Sequence, residues 1–197
     1  MKVYLIRHGR TEANARRLYC GWTDAGLSEE GLKELRLLRQ RMNYPDCSGL
    51  AVMTSGLLRT EQTLEALFGN IAHIAEPDFR EMHFGHFEMH SYAELKDDAD
   101  YQAWISDETG EEAVPGGEST NQFHARVFAA FDRICTDSLV VCHGGVIAAI
   151  MGRLFPEAEK NMYQWQPDGG CGYILHYANG KWSWESIPEK SATPGWN

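Results

Sequence analysis

Short continuous apolar runs alternate with longer segments of helical periodicity along this chain. Short apolar runs bounded by turn residues are typical of buried strands, and they occur at 3–6, 50–53, 71–74 and 139–142. Between them, apolar residues recur every three or four positions, which predicts a helix beginning at Ser28 and helices over 57–67, 118–134 and 144–152. This alternation favours an α/β fold, a three-layer sandwich whose mostly parallel central sheet has helices on both faces.

The rest of the pattern indicates a single domain. Segments 171–177 and 181–187 flank Asn179-Gly180, a dipeptide that favours a two-residue hairpin turn, so a β-hairpin is predicted there. No internal repeat and no low-complexity linker divides the sequence. We therefore expect one domain over 1–190, followed by a disordered tail at 191–197.

Composition and charge narrow the classes of partner. The chain has 197 residues and a formal net charge of -10, which argues against nucleic acid and anionic membranes as partners. No apolar run approaches the ~18 residues of a membrane span, and the N-terminus lacks the features of a signal peptide. The five cysteines are scattered, without a Cys-x-x-Cys pair, which favours reduced thiols and a cytoplasmic location.

Candidate chemistry follows two of the predicted strands. Arg7-His8-Gly9 comes after the first strand and His143-Gly144-Gly145 after the fourth, while Arg59 lies in the helix that follows the second. A lone histidine at such a position is more often structural. However, the carboxyl ends of parallel strands meet at one edge of a sheet, so we expect two imidazoles and two guanidiniums to meet there. Such a group fits a tetrahedral phosphate dianion.

Six sequence motifs extend this pattern along most of the chain. They read LIRHGRTEAN at 5–14, GWTDAGLSEEG at 21–31, TSGLLRTEQT at 54–63, FREMHFG at 79–85, PGGES at 115–119 and VVCHGG at 140–145. In sequence and in order they resemble the histidine phosphatase superfamily, in its phosphoglycerate-mutase-like branch. The pattern is nearest to small bacterial members such as the α-ribazole phosphatases.

The resemblance implies a fold of the phosphoglycerate-mutase type and a role for individual residues. It implies that His8 is the nucleophile that takes the phosphoryl group and that Glu81 is the general acid. Catalytic roles are also implied for Arg7, Arg59 and His143. Phosphate or substrate binding is implied for Arg7, Asn14, Arg59, His143, Gly144, Cys20 and Gly21. The resemblance implies no metal and no cofactor.

Two readings of the region around Glu81 stay open at this point. Residues 83–117, which we call the lid segment, are acidic and are predicted to be irregular. Glu81 could instead form a surface ion pair with Arg80. The region also contains histidines and carboxylates, which are groups that can bind a metal ion, although their spacing is not that of a zinc-binding helix. These residues are Glu81, His83, His86, Glu88 and His90. We favour His83 and His86 as residues that lie over the leaving group.

Three functions compete. The first is a phosphatase for a small phosphorylated metabolite, a sugar or nucleoside-like monophosphate such as α-ribazole phosphate. The second is a cofactor-dependent phosphoglycerate mutase, and the third is a non-catalytic protein that binds phosphorylated ligands. From His83 to Asn121 the only Lys or Arg is Lys96. A mutase must hold the substrate carboxylate with cations on the leaving-group side of the site. Because this segment lacks those cations, we predict hydrolysis rather than mutase activity. The sequence leaves open whether the protein forms a homodimer.

Overall fold

The computed structural model describes residues 1–187, and a six-stranded mixed sheet lies at its centre. The strand order is β3-β2-β4-β1-β5-β6. The first four strands in this order are parallel to one another, and β5 pairs antiparallel with both β1 and β6. The strands are β1 (Lys2–Arg7), β2 (Ala51–Thr54), β3 (Ile74–Ala75), β4 (Ser138–Cys142), β5 (Gly172–Ala178) and β6 (Lys181–Ile187).

Eight α-helices accompany the sheet within residues 1–187. They are α1 (Glu12–Ala15), α2 (Glu29–Arg41), α3 (Leu58–Phe68), α4 (Tyr92–Leu95), α5 (Ala99–Ser106), α6 (Thr120–Asp132), α7 (Gly144–Leu154) and α8 (Met162–Trp165). The predicted helix start at Ser28 is confirmed, because the Ser28 hydroxyl accepts the Gly31 N–H at 3.0 Å as an N-cap. None of these helices is long and apolar enough to span a bilayer.

Two apolar clusters, one on each face, hold the helices to the sheet. Side chains alternate between the faces of a strand, so Val3 and Leu5 of β1 pack in the same cluster as residues of α6 and α7. Ile6 of β1 points to the other face, where it joins Leu35 of α2 and Leu64 of α3. The predicted α/β sandwich with helices on both faces is therefore confirmed. Strand β4 is buried along its whole length, as expected for a central parallel strand.

The predicted hairpin is confirmed. Strands β5 and β6 pair antiparallel, and the turn residues Asn179 and Gly180 have φ angles of 53° and 77°. Positive φ at both positions is what a type I′ turn requires, and Asn-Gly accommodates it with little strain. The predicted tail at 191–197 lies outside the described residues.

The predicted third strand was wrong over most of its length. Residues 71–73 do not pair, and β3 consists of Ile74 and Ala75 alone, opposite Met53 and Thr54 of β2. The His73 ring forms a hydrogen bond with the Ile71 carbonyl (Nδ1 to O, 2.9 Å), which holds these residues in a local turn. Ile74 is 63% exposed, so the apolar run reflects an edge of the sheet rather than a buried strand.

The prediction that the lid segment is irregular was also wrong. It contains α4, α5 and a 3₁₀ turn at Gly85–Phe87. Two of its acidic residues cap the first turns of these helices. Glu94 forms a capping box with Ser91 at the start of α4, and the Asp98 side chain accepts the Tyr101 N–H at 2.9 Å at the start of α5. Both helices are short, so their periodicity is hard to see in an acidic sequence.

Candidate active site

Two histidines meet at the carboxyl edge of the sheet. His8 follows β1 and His143 follows β4, and the register of these neighbouring strands places Arg7 opposite Cys142. The two rings lie edge to face, with centroids 5.1 Å apart and planes at 63°. His8 is 6% exposed and His143 is fully buried. The structure thus brings together the two strand-end histidines that the sequence pattern singled out.

The His8 ring is held in one orientation and kept neutral. Its Nδ1 lies 2.7 Å from the Gly9 carbonyl oxygen, which can only accept, so Nδ1 carries the hydrogen and Nε2 keeps its lone pair. Burial, followed by the charges of Arg59 and Arg7, holds the pKa of His8 well below its usual value. A neutral imidazole with a free Nε2 lone pair is the form in which histidine acts as a nucleophile.

His143 is also neutral, but it is oriented by a different partner. Its Nε2 lies 2.8 Å from the Ser55 hydroxyl. Its Nδ1 is buried and has no hydrogen-bond partner within residues 1–187. Burial is the main reason that the pKa of His143 lies well below its usual value, and Arg59, His8 and Arg7 add to the effect. Since buried polar atoms are normally paired, Nδ1 is suited to bonding a ligand.

Arg59 and Arg7 supply the positive charge. Arg59 of α3 is 1% exposed, and its guanidinium donates to the carbonyls of Thr23 (2.9 Å) and Gly21 (2.6 Å). Its Nε has no hydrogen-bond partner in the described part of the chain. Arg7 donates to the Pro167 carbonyl at 2.8 Å. Burial lowers the pKa of both arginines, yet guanidinium groups stay protonated in proteins. Both guanidiniums therefore keep N–H groups that are available to donate hydrogen bonds to an anion.

Two glycines at the start of α7 permit close contacts. A Cβ atom on Gly144 would lie 2.9 Å from Gln166 Oε1 and 3.2 Å from Arg7 Cζ, and one on Gly145 would lie 2.2 Å from Glu81 Oε1. A side chain at Gly145 would displace the Glu81 carboxylate, and one at Gly144 would displace the Gln166 amide and crowd the Arg7 guanidinium. The amide of Gln166, a residue that the sequence pattern did not single out, lies beside Gly144.

The carboxylate of Glu81 lies at the N-terminus of α7. Its Oε2 accepts the Gly145 N–H at 2.9 Å, and its Oε1 accepts the Met82 N–H at 3.0 Å. The alternative of a surface ion pair with Arg80 is wrong, because the Arg80 guanidinium packs instead over the Trp22 ring, 5.1 Å from its centroid. Glu81 therefore lies at the end of α7 that follows His143, and its charge acts on Arg7 and Arg59.

Three predicted substrate-binding residues are engaged in local structure. The side-chain oxygen of Asn14 accepts from the backbone N–H and the hydroxyl of Thr11, both at 3.0 Å, and so caps α1. The Cys20 thiol donates to the Thr23 carbonyl at 3.7 Å, and burial raises its pKa. Gly21 gives its carbonyl to Arg59 and its N–H to Glu88. The substrate contacts of Asn14, Cys20 and Gly21 stay predictions.

Glu88 organises the loop that carries Gly21, a role that no motif of the chain predicts. Its carboxylate accepts four backbone N–H groups, those of Gly21, Trp22, Thr23 and Phe84, at 2.8–3.2 Å. The carbonyls of the same loop hold Arg59. Within residues 1–187, no group of three His, Cys, Asp or Glu side chains is placed to hold a metal ion. The alternative metal cluster around Glu88 thus finds no support in the geometry.

Comparison with known proteins agrees with the fold. Residues 3–190 match the histidine phosphatase superfamily (branch 1). The chain belongs to this superfamily and is an enzyme of the phosphatase class.

Individual relatives cover almost the whole chain. The adenosylcobalamin/alpha-ribazole phosphatase of Escherichia coli K12 is 30% identical over 203 residues, which cover 98% of this chain and 93% of that protein. A Photorhabdus laumondii protein named probable phosphoglycerate mutase GpmB is 31% identical over 200 residues, covering 90% and 92%. A crystal structure from Escherichia coli K-12, proposed to be an alpha-ribazole-5'-P phosphatase, superposes with a TM-score of 0.82 at 27% identity, covering 100% of this chain and 99% of that one.

Proposed function

We propose that this protein hydrolyses a small phosphate monoester through a phosphohistidine intermediate on Nε2 of His8, without a metal ion. The observation that carries the proposal is the buried, edge-to-face pair of His8 and His143 beside two guanidiniums. The Gly9 carbonyl fixes the nucleophilic tautomer, and the low pKa of His8 means that no proton has to be removed first.

In the first step the Nε2 lone pair of His8 attacks phosphorus, and the bond from phosphorus to the ester oxygen breaks. Glu81 donates a proton to that oxygen, because an alkoxide is a poor leaving group. Arg7, Arg59 and His143 stabilise the negative charge on the remaining phosphoryl oxygens. Fixed electrostatic groups of this kind usually contribute most of the rate enhancement.

In the second step water attacks the phosphohistidine. The Glu81 carboxylate accepts a proton from this water, the bond from phosphorus to nitrogen breaks, and the electron pair returns to His8. Inorganic phosphate then leaves with the site restored. The position of Glu81, bonded to the Gly145 N–H at the start of α7, supports its action on the leaving-group side in both steps.

Substitution of Glu81 by glutamine should slow alkyl phosphates far more than p-nitrophenyl phosphate. Loss of a general acid is expected to reduce kcat/KM for an alkyl ester by about 10²–10⁴-fold, whereas nitrophenolate departs with little help. Steady-state kinetics on both substrates measure the ratio, and burst kinetics show whether dephosphorylation has become rate-limiting. Equal slowing of the formation of phosphoenzyme from both esters would remove Glu81 as the acid.

We further propose that the leaving group is neutral or cationic, as in sugar or nucleoside-like phosphates, α-ribazole phosphate among them. Two candidate cations, Arg10 and Lys96, form surface ion pairs: Arg10 lies 4.0 Å from Glu34, and Lys96 lies 3.4 Å from Asp97. Most acidic residues of the lid segment are exposed, so the missing cations support this proposal more than charge repulsion does. The Escherichia coli relative is named adenosylcobalamin/alpha-ribazole phosphatase, and this name supports a nucleoside-like phosphate as the substrate.

A matched pair of substrates tests this preference. sn-Glycerol 1-phosphate and D-3-phosphoglycerate have the same configuration at C2 and differ only in a hydroxymethyl group against a carboxylate. An unpartnered carboxylate forgoes roughly 1.5–3 kcal/mol of charged hydrogen bonding, so we expect kcat/KM to be about 10–100-fold lower for 3-phosphoglycerate.

The main alternative is a phosphoglycerate mutase, the name that the Photorhabdus relative carries. A mutase assay primed with 2,3-bisphosphoglycerate distinguishes the two functions. Rapid interconversion of 2- and 3-phosphoglycerate without release of phosphate would overturn the hydrolase proposal. A protein that binds phosphate esters and turns over none of them would be the non-catalytic alternative. The cytoplasmic location and the homodimer stay predictions.

A further inference from the structure

A partly buried arginine, Arg126 of α6, is bonded to the backbone of the segment that carries Glu81. Its Nη1 donates to the carbonyls of Asp78 (2.9 Å) and Arg80 (2.8 Å), and its Nη2 donates to the carbonyl of Glu81 (2.8 Å). Its Nε donates to Glu118 Oε2 at 3.0 Å, and Nη2 also reaches Glu118 Oε1. All five N–H donors of the guanidinium are thus used.

Glu118 extends the same network beyond Glu81. Its Oε1 accepts the His83 N–H at 2.8 Å. Residues 78–83 are therefore tied to one ion pair on both sides of Glu81. The side chains of Arg126 and Glu118 are only 16% and 13% exposed. Breaking such a buried pair leaves an uncompensated charge, while the pair itself adds little to stability over an apolar substitute. A role in fixing local geometry accounts better for its presence.

We propose that Arg126 and Glu118, together the acid clamp, position Glu81 for proton transfer to the leaving group. This inference rests on the proposed function. The backbone from Arg80 to His83 belongs to no helix or strand, so its carbonyls lack the partners that regular structure supplies. The clamp provides partners for the carbonyls of Arg80 and Glu81, the second of which also accepts the Trp22 Nε1–H at 3.0 Å, and the Gly145 N–H holds the carboxylate. The clamp residues act through Glu81 and are positioning residues rather than catalytic ones.

A positioning role predicts a specific kinetic signature. A general acid must lie within hydrogen-bond reach of the oxygen that it protonates, and a displacement of about 1 Å can cost on the order of 10²-fold in rate. Disturbing the clamp should therefore slow only those substrates that need the acid. Binding of the phosphoryl group, which depends on His8, Arg7 and Arg59, should not change.

The test substitutes Arg126→Lys, which keeps the charge but cannot supply five donors in a planar fork. We expect kcat/KM for an alkyl phosphate to fall by about 10²-fold while p-nitrophenyl phosphate is turned over at nearly the original rate and the vanadate Kd is unchanged. In a Glu81→Gln background, Arg126→Lys should cause no further loss with the alkyl phosphate.

Two further variants sharpen the test. Glu118→Gln keeps the shape of the side chain and one acceptor oxygen, and should show the same substrate dependence with a smaller loss; it serves if Arg126→Lys does not fold. Arg133→Lys is the matched control, because Arg133 ends the same helix and pairs with Glu76 and Asp78 without contacting Arg80 or Glu81. Arg133→Lys should leave both substrates unaffected.

The outcomes separate the clamp from the function on which it rests. Equal slowing of both substrates in Arg126→Lys and Glu118→Gln, or an added loss in the Glu81→Gln background, would overturn the clamp while leaving hydrolysis intact. If Glu81→Gln itself shows no dependence on the leaving group, the assignment of the acid fails and the clamp fails with it.

Discussion

Replacement of His8 by alanine should abolish turnover. The covalent bond is proposed to form on Nε2 of His8, and His143, held through Nε2 by Ser55, is proposed to bond a phosphoryl oxygen instead of attacking phosphorus. Removal of a nucleophile from a catalytic unit typically costs roughly 10⁴–10⁶-fold in kcat. The wild-type protein, quenched during turnover of a ³²P-labelled substrate, should carry an acid-labile and base-stable phosphoryl group on His8. The alanine variant should carry none.

The control for this prediction is another histidine on a helix outside the site. His124 of α6 is half-buried and stacks on Phe128, with centroids 5.3 Å apart. His124→Ala should keep full activity and the same labelling, which shows that loss of an imidazole is not harmful by itself. Circular dichroism and thermal unfolding check that His8→Ala is folded. A folded His8→Ala protein with more than a trace of activity would contradict the covalent mechanism.

Substitution of Arg59 by methionine should produce the second large loss. A single arginine that stabilises a transferring phosphoryl group contributes roughly 10³–10⁵-fold, and Arg59 is buried with Nε unpaired within the described residues. Arg59→Lys should also be poorly active, because an ammonium cannot replace the planar fork that reaches both Gly21 and Thr23. Steady-state kinetics and the Kd for vanadate measure both variants.

The pH dependence separates the charge of Arg59 from its geometry. Activity requires neutral His8, so it is lost as the pH falls through the pKa of His8. Arg59 is one of the causes that hold this pKa down, after burial. Its removal in Arg59→Met should raise the pKa of His8, and the acid limb of the kcat/KM profile should move to higher pH. Arg59→Lys keeps the charge, so its acid limb should stay close to that of the wild type. An unchanged limb in Arg59→Met would contradict the proposed electrostatic role.

Much of the sheet and of the central site could be predicted because both depend on local patterns. A buried parallel strand such as β4 leaves a continuous apolar run, and the edge reached by its carboxyl end follows from the fold class. His8, His143, Arg7 and Arg59 all occur just after such strands or in the helix that follows. The family motifs added Glu81, which no periodicity could have singled out.

The connections that the sequence did not reveal are those between distant segments. Glu88 binds the N–H groups of Gly21 and its neighbours, and Arg126 binds the carbonyls around Glu81. Arg126 does not stand out in the sequence, and Glu88 does so only as a possible metal ligand, because a charged side chain on an amphipathic helix or in an acidic segment usually faces solvent. Their partners are backbone groups, which have no residue-specific signature. Only the folded chain shows which loop lies opposite.

The packing of the lid segment has a consequence for how specificity can change in evolution or by design. Its buried side chains Phe87, Leu95, Tyr101 and Val114 belong to the same apolar cluster as the strands beneath the site, and Tyr101 shares a 2.6 Å hydrogen bond between hydroxyl groups with Tyr19. The segment therefore has no separate core that would let it unfold as an independent unit. A lid transplanted from a relative with another substrate must bring its own matching residues, or the exchange will lower the stability of the entire domain. Single substitutions at exposed positions of the segment are the less disruptive route to a new leaving group.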